Sequence, residues 1–240
     1  VVDRLAFVGR QTELRQLAGV LDSVRESGSG AAVAIRGEPG MGKSRLTEEL
    51  LWRAQAQGFA CHVGTVLDFG VAKGQEALPA VVANILGLPG PAPQAQRRAA
   101  LARAIASDLV DAENEALICD LLDLEQREDQ QAIFDAMDNA TRMQRTAQAL
   151  GALAAKTAAR QPRLLVFEDI HWASPLLLAC LAAVAMATRE SALLLAMTTR
   201  FEGDPLDRHW RSASPGTPLL SVELGPLRPE EARAMAAGMI

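Results

Sequence analysis

The chain has 240 residues, of which 49% are hydrophobic and 22% charged, with 18 Gly and 12 Pro. These are globular proportions, and they exclude disordered, collagen-like and low-complexity classes. The net charge of −5 argues against a dedicated nucleic-acid-binding surface but leaves room for a local basic site.

Three cysteines, Cys61, Cys119 and Cys180, lie far apart in the sequence. That is no disulfide framework, so the chain reads as cytoplasmic. The longest apolar run, Leu176 to Ala187, has twelve residues. It is too short for a bilayer and fits a buried helix, so no membrane partner is expected. The chain opens on Val1-Val2-Asp3 without a signal layout, and Pro229 to Ile240 stops inside a helical pattern. The reading is a piece of a longer polypeptide, whose other domains are expected partners. Three lysines against 21 arginines, with abundant Ala, suggest a GC-rich bacterial genome.

From the N-terminus, Val8 to Arg25 carries helical spacing through Leu14, Leu17, Val20 and Leu21. Ser27 to Gly30 breaks it. Ala31 to Arg36 is a short apolar run bounded by glycines and reads as a buried strand. Lys43 to Gln57 is helical, and Phe59 to Val66 reads as a second strand. Four helical stretches follow: Ala77 to Leu86, Gln94 to Leu109, Glu113 to Leu122, and one long run from Asp129 to Ala159. A Pro/Gly loop from Gly87 to Pro93 separates the first two. Three more strands are predicted at Leu164 to Phe167, Ala192 to Met197 and Leu219 to Leu224, with helices at Pro175 to Thr188 and Pro229 to Ile240. Short apolar strands alternating with helices predict a parallel sheet covered on both faces, an α/β fold.

Gly37-Glu38-Pro39-Gly40-Met41-Gly42-Lys43-Ser44 matches G-x-x-x-x-G-K-[ST] between a strand and a helix. Glycines let backbone N–H groups turn inward around phosphate oxygens. Lys43 brings a positive charge to the β- and γ-phosphates, and Ser44 offers a hydroxyl to Mg²⁺. The next helix, with Arg45 in its first turn, points its positive end at the anion.

Glu168 and Asp169 end an apolar strand. A nucleotide site needs one acid for the metal and often a second for the attacking water. By position Glu168 takes the metal and Asp169 the water. Thr198-Thr199-Arg200 ends another strand, where Thr199 and Arg200 are placed to sense a γ-phosphate. His62 beside Cys61 makes a poor metal pair, because neighbours on a strand face opposite ways. His171 and Trp172 are expected to pack beside the site, His209 and Trp210 lie in a loop, and Arg97-Arg98 reads as a solvated helix face.

Phe7-Val8-Gly9-Arg10 with Glu13, the Gly37–Ser44 loop, the Phe167 to Trp172 run and Thr198-Thr199-Arg200 occur in an order that resembles the STAND branch of AAA-type P-loop ATPases. The likeness is to the module of bacterial class III adenylate cyclases and large helix-turn-helix transcriptional regulators; Cys61 to Gly70 resembles the cyclase-linked version. The resemblance implies a three-layer sandwich with a five-stranded parallel sheet in order 5-1-4-3-2. It implies one P-loop domain over 1–240, a helical insertion over 68–160, and a lid and winged helix beyond Ile240. Val8, Gly9 and Arg10 would pack on adenine, and Arg200 would be the first sensor. ATP and ADP, with Mg²⁺, would switch the module between a closed ADP form and an open, self-associating ATP form. Glu168 stands where many relatives have Asp, and Ser174 where an acid is frequent. The function so implied is a slowly hydrolysing regulatory switch. A nucleotide-binding scaffold without turnover and an initiator-like DNA-associated AAA protein stand as alternatives.

Overall fold

A computed structural model describes residues 9–67, 77–88, 90–206, 210 and 213–237. Strands β1 (Ala31–Gly37), β2 (Ala60–Thr65), β3 (Arg163–Glu168), β4 (Leu193–Thr199) and β5 (Leu219–Leu224) form one sheet in the order β2-β3-β4-β1-β5. All neighbours pair in parallel, so the expected 5-1-4-3-2 order is the observed one.

The interior strands β1, β3 and β4 are mostly apolar because both faces are covered, with charged and polar residues confined to their ends. On β1, Val33 and Ile35 face one helical layer, while Ala32 and Ala34 face the other. The first layer is α1 (Gln11–Ser27) and α2 (Lys43–Ala56), which bring Leu14, Leu17, Leu21, Leu46 and Leu50 onto the sheet. The second is built from α3 (Ala77–Ile85), α4 (Gln94–Ala106), α5 (Glu115–Leu121), α6 (Glu128–Ala136), α7 (Asn139–Ala158) and α8 (Pro175–Ala187). Leu78, Val81, Leu117, Leu150 and Leu177 are among its fully buried contacts. A last helix, α9 (Pro229–Ala237), follows β5.

Among the described residues five α-helices, α3 to α7, thus lie between β2 and β3. β2 can take α3 closely only because of Gly64: a Cβ there would sit 2.8 Å from Val81 and 2.9 Å from the Ala77 carbonyl. The run predicted as one helix from Asp129 to Ala159 is two. Met137 leaves the helix at ψ 133°, and the Asp138 carboxylate accepts the Thr141 N–H at 2.7 Å to start α7. Arg97 and Arg98 are not merely a solvated face. Arg97 donates to the Leu122 carbonyl and Arg98 to the Glu125 carbonyl, satisfying the chain just beyond α5. Trp210 is buried in the core cluster, not lodged in a loose loop; His209 lies outside the described residues. Among the described residues no helix is long and apolar enough to cross a membrane.

Candidate nucleotide site

The phosphate loop leaves the end of β1, the strand between β4 and β5. Its glycines are required by backbone conformation: Gly40 has φ 78° and Gly42 φ 88°, the left-handed region costly for other residues. Both line the pocket, and a side chain at either would meet no protein atom within 4 Å. Gly42 caps α2 without a capping side chain, so the first N–H groups of that helix are open to an anion.

Lys43 is buried, and its ammonium donates to the carbonyls of Gly37 at 2.7 Å and Glu38 at 3.2 Å. Burial draws its pKa below the usual lysine value; Asp169 opposes that shift and Arg200 adds to it. Thr47 donates to the Lys43 carbonyl at 3.0 Å, fixing the first turn. Ser44 is exposed at the mouth, and Arg45 pairs with Glu48 at 2.9 Å. Pro39, Gly40, Gly42, Lys43, Ser44 and Arg45 line a pocket of about 390 Å³ together with Asp169 and Arg200. Glu38 and Met41 shape the loop from behind, the Met41 N–H donating to the Glu38 carbonyl at 3.2 Å.

The adjacent acids have different surroundings. Asp169 takes a left-handed conformation, φ 58°, and its N–H donates to the Thr198 hydroxyl at 2.9 Å. That bond aims its carboxylate into the pocket, where it is the acid among the described lining residues. Glu168 lies beside the end of β2, accepting from the Thr65 hydroxyl at 3.5 Å. Burial first, and then Asp169, push its carboxyl above the ordinary range. Arg200 lies 5.9 Å over the Trp172 ring, held at the pocket edge by a cation–π contact. His171 stacks on Trp172 and sits 3.9 Å from Asp169. Thr199 is fully buried and donates to the Arg200 carbonyl, so it shapes the strand end rather than the pocket.

Val8 lies outside the described residues. Gly9 and Arg10 form a left-handed turn before α1. The Arg10 guanidinium reaches Glu13 and the carbonyls of Met41 and Gly225, while its N–H donates to Glu231 at 3.2 Å. Arg10 thus ties the N-terminal turn to the phosphate loop and to α9. A larger cleft of about 640 Å³ lies beside it, between α1, β5 and α9. Its lining mixes Arg and Glu without a glycine cradle, so the smaller pocket is the one suited to a phosphate group. His62, beside Cys61 on β2, contacts Arg163 at 2.6 Å, and burial lowers its pKa to about 4.

Sequence reasoning overlooked Thr65, Arg36 and Asp204. Arg36 is a charge inside an apolar strand, a signal that was there to be read. Ser174 accepts the Leu177 N–H at 3.2 Å and caps α8. An Asp at this position could make the same capping bond.

A parallel α/β sheet whose interior strand β1 runs through a glycine loop into a helix, faced by an acid and an Arg from the ends of β3 and β4, defines a P-loop nucleotide-binding domain. A family model described as the AAA ATPase domain matches residues 6–196, and the chain belongs to that family. No curated protein matches the sequence significantly. Among solved structures the chain is similar to the ORC1 protein of Aeropyrum pernix in complex with DNA, with 17% identity and a TM-score of 0.48. That alignment covers 99% of this chain and 51% of the other. It is also similar to a Signal Transduction ATPase with Numerous Domains, carrying a tetratricopeptide repeat sensor, from Pyrococcus horikoshii. There the identity is 16%, the TM-score 0.45, and the coverage 97% of this chain and 25% of the other. The chain therefore spans about half the length of the first and a quarter of the second.

Proposed function

We propose that this domain binds Mg-ATP at the Gly37–Ser44 loop and hydrolyses it slowly, as a switch in a cytoplasmic bacterial signalling or transcription-regulating protein. One observation carries the reading: Lys43, Asp169 and Arg200, from three separate elements, line one pocket with the uncapped start of α2. The site suits the nucleotide, since open glycines, a buried ammonium and free helix N–H groups all favour a polyanion. Lys43 and the loop amides would hold the β- and γ-phosphates. Ser44 and Glu168 would hold Mg²⁺, whose charge would neutralise the phosphate oxygens. Asp169 would orient the attacking water, and Arg200, backed by Thr199, would contact the γ-phosphate. Val8, Gly9 and Arg10 would line the adenine. Positioning and charge neutralisation would supply most of the rate. Exchange of ADP for ATP would favour self-association and regulate other domains of the same longer chain. The acidic balance does not support a DNA-binding role.

A second reading, binding without turnover as an assembly scaffold, has one observation in its favour: the metal candidate Glu168 leans on Thr65. Phosphate release separates the two readings. Mg-ATP at a hundredfold excess over its Kd is expected to raise the Tm by roughly 5–10 °C, with slow release of phosphate. Protection without release favours the scaffold, and no protection by any adenine nucleotide rejects both.

A further inference from the structure

We propose that Arg36 and Asp204 are positioning residues that set Arg200 against the phosphate pocket. Arg36 is the last residue before the phosphate loop, and in the sheet it lies between Thr199 of β4 and Glu223 of β5. Its Nε pairs with the Asp204 carboxylate at 2.6 Å, and its Nη1 donates to the Ser221 hydroxyl at 2.9 Å. The Asp204 side chain is 2% exposed and that of Arg36 12%.

Both carboxylate oxygens of Asp204 are in use, because Oδ1 accepts the Leu206 N–H at 2.9 Å. The Asp204 N–H donates to the Phe201 carbonyl at 3.4 Å, and Gly203 takes φ 76° between them. The segment from Arg200 to Leu206 is therefore a tight turn with Arg200 at its start and a buried anchor at Asp204. Arg200 is held at three points: the Thr199 hydroxyl donates to its carbonyl, Trp172 meets its guanidinium, and the Arg36–Asp204 pair holds the turn that follows it. One end of that pair is covalently joined to Gly37. A shift of the phosphate loop on binding would pass to the Arg200 turn through this buried contact as well as through the β1–β4 ladder. An ion pair this buried is a costly way to gain stability, since apolar residues of the same size usually serve as well. Its placement between two halves of one pocket gives it a different use.

The inference rests on Arg200 meeting the γ-phosphate, so its signature is discrimination between ATP and ADP. Kd values for both nucleotides with Mg²⁺ are measured by calorimetry on the 240-residue chain. Arg200→Ala and Asp204→Asn are each expected to weaken ATP roughly tenfold and ADP by less than about twofold, the value of one charge-assisted contact. The double variant is expected to lose no more than either single one, because both act through the same contact. A merely structural role would weaken both nucleotides alike. Arg36→Lys keeps the charge but loses the fork that spans Asp204 and Ser221, and it decides the matter if Asp204→Asn fails to fold. The same selective loss of ATP supports the inference. Equal loss of both nucleotides, no loss, or multiplied losses in the double variant overturn it. If Arg200→Ala alone is selective, only this inference falls; if Arg200→Ala is also without effect, the sensor reading falls with it.

Discussion

The phosphate loop and the strand ends opposite it meet in one pocket but are specified differently. In the loop every requirement is local: glycines at positive φ, a lysine whose ammonium folds onto the carbonyls of its own turn, a helix that starts at once. Across the pocket nothing is local. Two consecutive carboxylates have separate environments, Asp169 through a bond from its N–H to Thr198 on the next strand, and Glu168 through Thr65 on the other neighbour. A short motif can therefore encode the anion cradle, whereas the reactive side depends on which strands lie beside β3.

The largest test of that contrast is Lys43→Ala. It is expected to lower ATP affinity on the order of a hundredfold by calorimetry, as removal of a desolvated charge-assisted contact should. Retained affinity would mean that the cradle does not act alone. Next, Asp169→Asn is expected to keep ATP binding while slowing phosphate release on the order of a hundredfold. If that variant instead loses magnesium-dependent binding and Glu168→Gln loses only turnover, the two acids exchange roles.

A smaller effect sharpens the difference between the two acids without nucleotide. A carboxyl whose folded pKa is raised binds more protons in the native state than in the unfolded one. The penalty at Glu168 is therefore present at neutral pH and relieved as pH falls through its folded value. Glu168→Gln is expected to melt above the wild type at pH 7, with the gap closing on acidification. A gap that ignores pH would remove burial as the cause. The smallest expected change is at Ser174→Ala, which loses the cap of α8 at a cost of about 1 kcal/mol, a fall in Tm of about 2–4 °C. Ser174→Asp should restore it.

Much of this was readable beforehand. The apolar run Ala31 to Arg36 followed by glycines, Lys43 and Ser44 marked strand, loop and helix, and hydrophobic spacing placed most helices within a few residues. The break between α6 and α7 was missed because apolar periodicity continues across it; the cap at Asp138, three residues before Thr141, was the overlooked signal. The roles of Arg97 and Arg98 are not legible in the sequence because their acceptors are backbone carbonyls more than 20 positions away, which no local pattern reveals.

Residue order by itself determined the phosphate cradle, because backbone conformation at Gly40 and Gly42 and the start of α2 depend only on neighbours along the chain. The tertiary structure alone decided which acid faces the pocket, what holds Arg200, and that Arg36 meets Asp204. Those outcomes depend on strand adjacency, and parallel neighbours in a sheet are joined by crossovers that bring together residues distant in sequence.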